Sequence, residues 1–138
     1  MEASKNYQEQ LLKFRYLKEQ RDMYQGQLEI INASLGNILN TKTTIVNLKE
    51  GVKDGDEILV PIGGLASITA SIKNPDKILL SVTQDVVIER DLNDSIEFLD
   101  KLIEQHNEQI QFLRAQLQNL DINLQETSNL IQRDLNQR

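Results

Sequence analysis

His106 is the only imidazole in this sequence, and there is no cysteine. Protein metal sites draw on several His, Cys or carboxylate ligands, and a nucleophile needs a base beside it. One isolated histidine is therefore a poor start for either chemistry. With no thiol, disulfides, thiolate metal sites and cysteine nucleophiles are all excluded. The acids Asp54, Asp56 and Glu57 stand close enough along the chain to share a divalent cation. Their run lacks the spacing and closing Glu of an EF-hand and reads as a solvated loop. No GxxxxGK[ST] nucleotide loop, HExxH, GxSxG or GxGxxG occurs in the sequence. The expectation is no catalytic residue, no metal and no cofactor: not an enzyme, but a protein that works through its surfaces.

Composition narrows the kind of surface. The net charge is −6 and the Lys and Arg residues are interspersed with acids, so the clustered cations that neutralise phosphates are missing and no nucleic-acid partner is expected. No window approaches the ~20 apolar residues of a membrane span, and the N-terminal MEASKNYQEQLLKFRYLKEQ has no apolar core of a signal peptide. A cytoplasmic protein with no membrane partner is expected. Trp is absent and only 4% of residues are aromatic, which leaves few large anchors for a globular core. A core laid out as stripes along helices can do without them.

Such stripes are present. From Tyr7 onward a heptad frame places Tyr7, Phe14, Arg21, Leu28, Leu35 and Lys42 at a, with Gln10, Leu17, Tyr24, Ile31, Ile38 and Ile45 at d. Alternating spacings of three and four keep one stripe turned toward a partner helix as the two supercoil. Leu11, Leu12 and Leu39 lie beside the stripe and widen it. Arg21 and Lys42 are expected to fix register while carrying their charged heads out to solvent. Gly26 and Gly36 soften this arm by roughly 1 kcal/mol each relative to Ala, and they offer room for close helix approach. The arm ends at NLKEG, where Gly51 is the expected C-terminal cap.

A second arm starts near Leu92, with Asp91 as its N-cap and Asp94 in the first turn. Its stripe runs Ile96, Ile103, Ile110, Leu117, Leu124 and Ile131 at a, and Leu99, His106, Leu113, Leu120, Thr127 and Asp134 at d. His106 thus has a seam position, and a structural role is expected for it. Each arm is about 45 residues, or roughly 68 Å as helix. Arms of matched length joined by some forty residues are best satisfied by antiparallel pairing within one chain. The ends of the two arms then carry more apolar residues than a two-helix seam uses: Tyr7, Leu11, Leu12 and Phe14 from one, Leu130, Ile131 and Leu135 from the other.

Between the arms lie short strand-like runs. Ala66, Ile68, Ala70 and Ile72 alternate with Ser67, Thr69 and Ser71, the period of two of a strand with one apolar face. Ile58 to Ile62 joins it through Gly63-Gly64, suited to a tight turn. Asn74-Pro75-Asp76 marks another turn, with Pro75 at its second position, before Ile78 to Val82, and Thr83-Gln84-Asp85 leads into Val86 to Arg90. A four-strand meander or two linked hairpins is expected. Four strands are too few to close a barrel alone, so the sheet needs partners. The fold class is α+β: a long two-helix coiled-coil hairpin with a four-strand insert. The whole chain, 1–138, reads as one domain, divided into 1–50 as the first coiled-coil helix, 57–90 as the oligomerisation body and 91–138 as the second helix.

The run LVPIGGLASITASI, followed by KILLSVTQDVVIERDLNDSIEFL, resembles the α-class subunits of prefoldin in its order of turn, strand and second-helix entry, and the likeness extends over nearly the whole chain. The resemblance implies a hexamer of two α-class and four β-class subunits whose strands form a β-barrel body carrying coiled-coil tentacles. It implies an ATP-independent chaperone that holds non-native client proteins and passes them to a group II chaperonin. On this reading, clients are gripped at the tips by Tyr7, Leu11, Leu12, Phe14, Leu130, Ile131 and Leu135. The apolar residues of the insert, Ile58, Val60, Ile62, Ile68, Ile72, Ile78, Leu80, Val82, Val86 and Ile88, build the oligomer. Some α-like members of the family self-assemble into filaments, and a structural filament subunit without client transfer is the alternative.

Overall fold

The structure, a computed structural model, describes residues 2–137. Their order is α1 (Glu2–Gly51), β1 (Glu57–Pro61), β2 (Ser67–Ser71), β3 (Lys77–Ser81), β4 (Val87–Asp91) and α2 (Leu92–Asn136). They fall into two compact units. Gly36–Glu104 forms the central one, and the segments up to Leu35 and from Gln105 form the flanking one.

The heptad frame holds throughout both helices. Each of the twelve a and d residues expected on α1, and each of the twelve on α2, is buried or half-buried. A frame wrong by one residue would turn the stripe by about 100° and leave several of them in water.

In the flanking unit Leu28, Ile110, Leu113 and Leu117 are the core, with Tyr24, Ile31 and Leu35 packed on them. Its cross-helix pairs give the direction. Arg21 meets Asp121 and Ser34 meets His106, so partner numbers fall as α1 numbers rise and the helices are antiparallel. Gly26 does not break α1 here, and neither does Gly36 in the central unit. A Cβ at either would meet nothing within 4 Å, so close helix approach does not require them.

In the central unit Ile45, Leu92 and Leu99 form the core, joined by Ile38, Ile78, Ile96, Phe98 and Leu102. Gly51 remains the last helical residue, and the left-handed conformation falls at Gly55 with φ +88°. Around it Lys53 N donates to Asp56 Oδ2 at 2.8 Å and Asp56 N to Lys53 O at 3.1 Å. The middle acid of the run considered for cation binding thus closes a turn. The turn before β3 has Lys77 N donating to Asn74 O at 3.1 Å, which puts Pro75 at the second position as its fixed φ requires. Asn74 takes φ 51°, a conformation Asn tolerates better than most residues. Leu92 N donates to Asp76 O at 3.1 Å, tying the start of α2 to that turn.

The insert is two linked hairpins, β1–β2 and β3–β4, each an antiparallel two-stranded sheet. The second repeats the first with an offset of twenty residues. Val60 pairs with Ile68 as Leu80 pairs with Ile88, and Ile58 with Ala70 as Ile78 with Arg90. Both close the same way, Ile62 N donating to Ala66 O and Val82 N to Val86 O, each at 3.0 Å. Neither Gly63 nor Gly64 has a positive φ, so the first loop is not the two-residue primed turn their sequence suggests. Three residues separate the closing pair instead.

Large-to-small changes in this seam remove packing that nothing else replaces. Leu28→Ala is expected to destabilise the protein by about 2–4 kcal/mol, whereas Ile30→Ala, two residues away but 71% exposed, should change it by less than about 0.5 kcal/mol. Urea unfolding followed by circular dichroism measures both.

Candidate functional site

With no catalytic constellation to build, the site question becomes which apolar groups remain in water after the chain has packed its own seam. In the flanking unit the expected end residues divide. Tyr7, Phe14 and Ile131, at a positions, are half-buried, as is Leu11. Leu12, Leu130 and Leu135 remain 65%, 40% and 47% exposed. Extending the antiparallel register from Arg21–Asp121 places Leu11 across from Ile131, Leu12 level with Leu130 and Tyr7 level with Leu135, so these residues lie at one end of this unit. Leu11 and Leu12 with Gln8 and Arg15 also line a shallow depression of about 290 Å³. Beside it, Gln10 Oε1 is buried without a hydrogen-bond partner, a cost that an apolar residue at this d position would avoid.

In the central unit the ten expected assembly residues also divide. Leu80 is buried and Ile78 packs on the α1–α2 core. Ile72 and Ile88 are half-buried, while Ile58, Val60, Ile62, Ile68, Val82 and Val86 are exposed at 36% or more. The two hairpins therefore differ: in β3–β4 Ile78 packs on the helix core and Leu80 is buried, whereas the equivalent Ile58 and Val60 of β1–β2 are exposed.

Within the insert four further large apolar residues lie in water that were not among those expected: Leu59 at 72%, Leu65 at 104%, Leu79 at 71% and Val87 at 56%. A signal for two of them exists. Ile58-Leu59-Val60 and Ile78-Leu79-Leu80 are continuous apolar runs, the pattern of strands covered on both faces.

Three polar residues of the seam, Arg21, Lys42 and His106, have partners on the other helix. Arg21 Nε donates to Asp121 Oδ1 at 2.6 Å, and Lys42 Nζ lies 2.6 Å from Asp100 Oδ1. Both cations sit at a positions, and each meets the acid that follows a d residue on α2. The hydrogen bond and charge of Asp121 push the Arg21 guanidinium above its ordinary value, and Asp91 does the same for Lys77. His106 Nε2 and Ser34 Oγ are 2.9 Å apart in the half-buried seam, so the lone imidazole is occupied in helix pairing. Among the described residues no group of three or more His, Asp or Glu could hold a metal ion, and no helix is long and apolar enough to cross a membrane.

A family model, that of the prefoldin subunit, matches residues 17–137. Prefoldin subunit alpha of Methanococcus maripaludis strain C5 is 32% identical over 100 residues, covering 70% of this chain and 69% of its own. Prefoldin subunit alpha of Methanobrevibacter smithii is 27% identical over 131 residues, covering 95% and 84%. Among solved structures, filamentous PFD from Methanocaldococcus jannaschii shares the fold with a TM-score of 0.70 at 19% identity, over 81% of this chain and 92% of that one.

The seam pair supplies a test of its own. In a double-mutant cycle of Ser34→Ala and His106→Leu, the coupling should be about 0.5–1.5 kcal/mol, the net worth of one intramolecular hydrogen bond. Urea midpoints of the four proteins give the value, and a coupling near zero would remove the pair from the seam.

Proposed function

The chain belongs to the prefoldin family, a family of chaperones, and on that premise we propose that it is an ATP-independent holdase subunit. It grips non-native proteins at the ends of its helices and passes them to a group II chaperonin in the cytoplasm. The observation that carries this reading is the set of leucines left in water after the seam is packed, Leu12, Leu130 and Leu135. Exposed side chains of this kind cover apolar segments of an unfolded chain without demanding a particular sequence. A leucine that becomes fully buried against a client contributes about 1.5–3 kcal/mol. One such contact is weak, and several subunits around one client turn weak contacts into avidity.

Assembly supplies those several subunits. The open face of β1–β2, with Ile58, Val60 and Ile68, has unsatisfied strand edges and apolar side chains of the kind that pair with another sheet. We assign this face to contacts with β-class subunits in a hexamer of two α-class and four β-class chains. The second reading is a filament, the assembly named for the M. jannaschii structure. Native mass measurement of the chain alone and with a β-class partner separates the two, since a filament grows without limit and the hexamer has one mass.

Replacing Leu12, Leu130 and Leu135 by Ser should raise the concentration needed to suppress client aggregation by about tenfold or more, since each lost contact of roughly 1.4 kcal/mol is a factor of ten. The mass of the assembly should not change. Equal suppression by the triple variant would remove these residues from client binding.

The strand face is tested separately. Asp56–Ile72 and Ile62–Ala66 are hydrogen-bonded positions, so the two-residue alternation of an antiparallel ladder makes Val60–Ile68 one as well. Ile68→Pro removes that donor and is expected to dissociate the oligomer while the helices keep their far-UV signal. An intact oligomer would move the assembly surface elsewhere.

A further inference from the structure

The outward face of α1 in the flanking unit carries a second heptad stripe that the seam does not use. In the frame that sets the seam, Tyr16, Met23 and Ile30 fall at successive c positions, and Leu12, Gly26 and Ala33 at f. Tyr16 is 61%, Met23 46%, Ile30 71% and Leu12 65% exposed. Positions c and f alternate at four and three residues, so this stripe has the same 3.5-residue period as the packed one, about 200° around the helix from it. Glu19 is its one charged member. Apolar residues scattered singly on a surface need no explanation, but a stripe sustained over three heptads has the pattern of a coiled-coil contact.

We propose that this face binds the same face of a second copy of the chain, with the two α1 helices antiparallel. The occupant follows from charge. The flanks of a c/f stripe are positions b and g. Position b carries Gln8, Arg15, Asp22 and Glu29, and g carries Lys13, Gln20 and Gln27. In an antiparallel pair b flanks meet b flanks, and packing c against f then sets Leu12 against Ile30, Tyr16 against Gly26 and Met23 against Glu19. That register brings Arg15 of each copy beside Glu29 of the other, two opposite-charge pairs related by a two-fold axis near Asp22. In a parallel pair b flanks meet g flanks. Arg15 would then face Gln20 and Asp22 would face Gln27, with no charge complement. The antiparallel register also sets Asp22 beside Asp22 of the other copy, one like-charge contact at the axis against two opposite-charge pairs, so the net charge complement exists in this direction only.

Shape agrees with charge. A Cβ at Gly26 would meet nothing within 4 Å, so nothing in its own chain fills the notch that this glycine leaves between Met23 and Ile30. Tyr16 of the second copy is the side chain that the antiparallel register sets over it. Glu29 accepts a long 3.5 Å bond from Gln25 Nε2, a weak contact for an arginine to displace. One such seam lies at the small end of interface sizes, under about 1,200 Å², so the contact is weak for a single pair of helices. This face shares Leu12 with the leucine set proposed for clients, while Ile30, Arg15 and Glu29 lie outside that set and keep the two tests separate.

The cysteine-free chain permits a direct test with the full-length protein and a short bis-maleimide cross-linker. Asp22→Cys should cross-link between copies and Gln8→Cys should not, because only the former lies near the two-fold axis. Arg15→Glu and Glu29→Arg should each weaken self-association, read by sedimentation equilibrium, by about tenfold, since each turns two attractive pairs repulsive. The Arg15→Glu/Glu29→Arg double variant should restore it. Ile30→Glu, on an exposed site, should abolish the cross-link without unfolding the helix. Equal cross-linking of the Asp22→Cys and Gln8→Cys proteins overturns the antiparallel register. Failure of the double variant to recover overturns the charge pairing. If Ile30→Glu instead lowers client suppression and leaves self-association unchanged, the face belongs to clients and the proposal is wrong.

Discussion

Everything in this chain hangs on an apolar seam that repeats every 3.5 residues. In the flanking unit Leu28, Ile110, Leu113 and Leu117 pack along it, and in the central unit Ile45, Leu92 and Leu99 do so. A two-helix seam is one residue thick, so a few side chains, such as Ile45 and Thr127, are almost fully covered while most of its a and d residues are only half-buried. That thinness explains why leucine and isoleucine suffice and large aromatics are few. It also means that whatever the seam does not cover stays in water, and the exposed leucines and strand faces follow from that geometry.

The repeated hairpins show how the same local pattern can have two fates. Ile58, Val60 and Ile68 are arranged in β1–β2 as Ile78, Leu80 and Ile88 are in β3–β4. Leu80 is buried while Val60 is 36% exposed, and Ile78, unlike Ile58, packs against Ile45, Leu92 and Leu99. An isolated two-stranded hairpin is marginal in water. The second hairpin has Ile78 against the helix core, and the first has no residue in either core cluster of the described residues.

Periodicity made the helices readable. The three-four spacing fixed which side of each helix is buried, and Asp91, Pro75 and the alternation from Ala66 to Ile72 marked the places where the chain changes structure. Other features could not be read from pattern. Asp100 and Asp121 are ordinary surface acids until the two helices are set in register, and a heptad pattern is silent about which of its repeats face each other. Gly51 does end α1, but the left-handed residue that a glycine cap supplies falls four residues later, at Gly55 with φ +88°. Gly26 and Gly36 looked like sites of close approach, and the space beside them is open. Among the end residues, those at a positions went into the seam and left Leu12, Leu130 and Leu135 outside it, a division that depends on side-chain direction more than on composition.

The polar members of the seam answer the question that the pattern leaves open. Apolar residues at a and d would pack nearly as well if one helix slid past the other by seven residues, so hydrophobicity alone sets the direction of pairing weakly and the register hardly at all. The charged and hydrogen-bonding residues discriminate. A slide of one heptad moves Arg21 from Asp121 to Arg114 in one direction, or to Ser128 in the other. In the central unit the same slide takes Lys42 from Asp100 to Asn93 or Asn107. His106 would lose Ser34 for Gln27 or Thr41. For the two cations every slide loses an opposite-charge pair, and in one case, Arg21 facing Arg114, sets up a like-charge one, whereas His106 would find another polar partner in Thr41 or Gln27 and discriminates less. Such exposed pairs add little to stability, but it is they that differ between one register and the next. Arg21, Lys42 and His106 in the a/d stripe, with Ser34 beside it at g, therefore give up some apolar burial in the seam in exchange for a defined register.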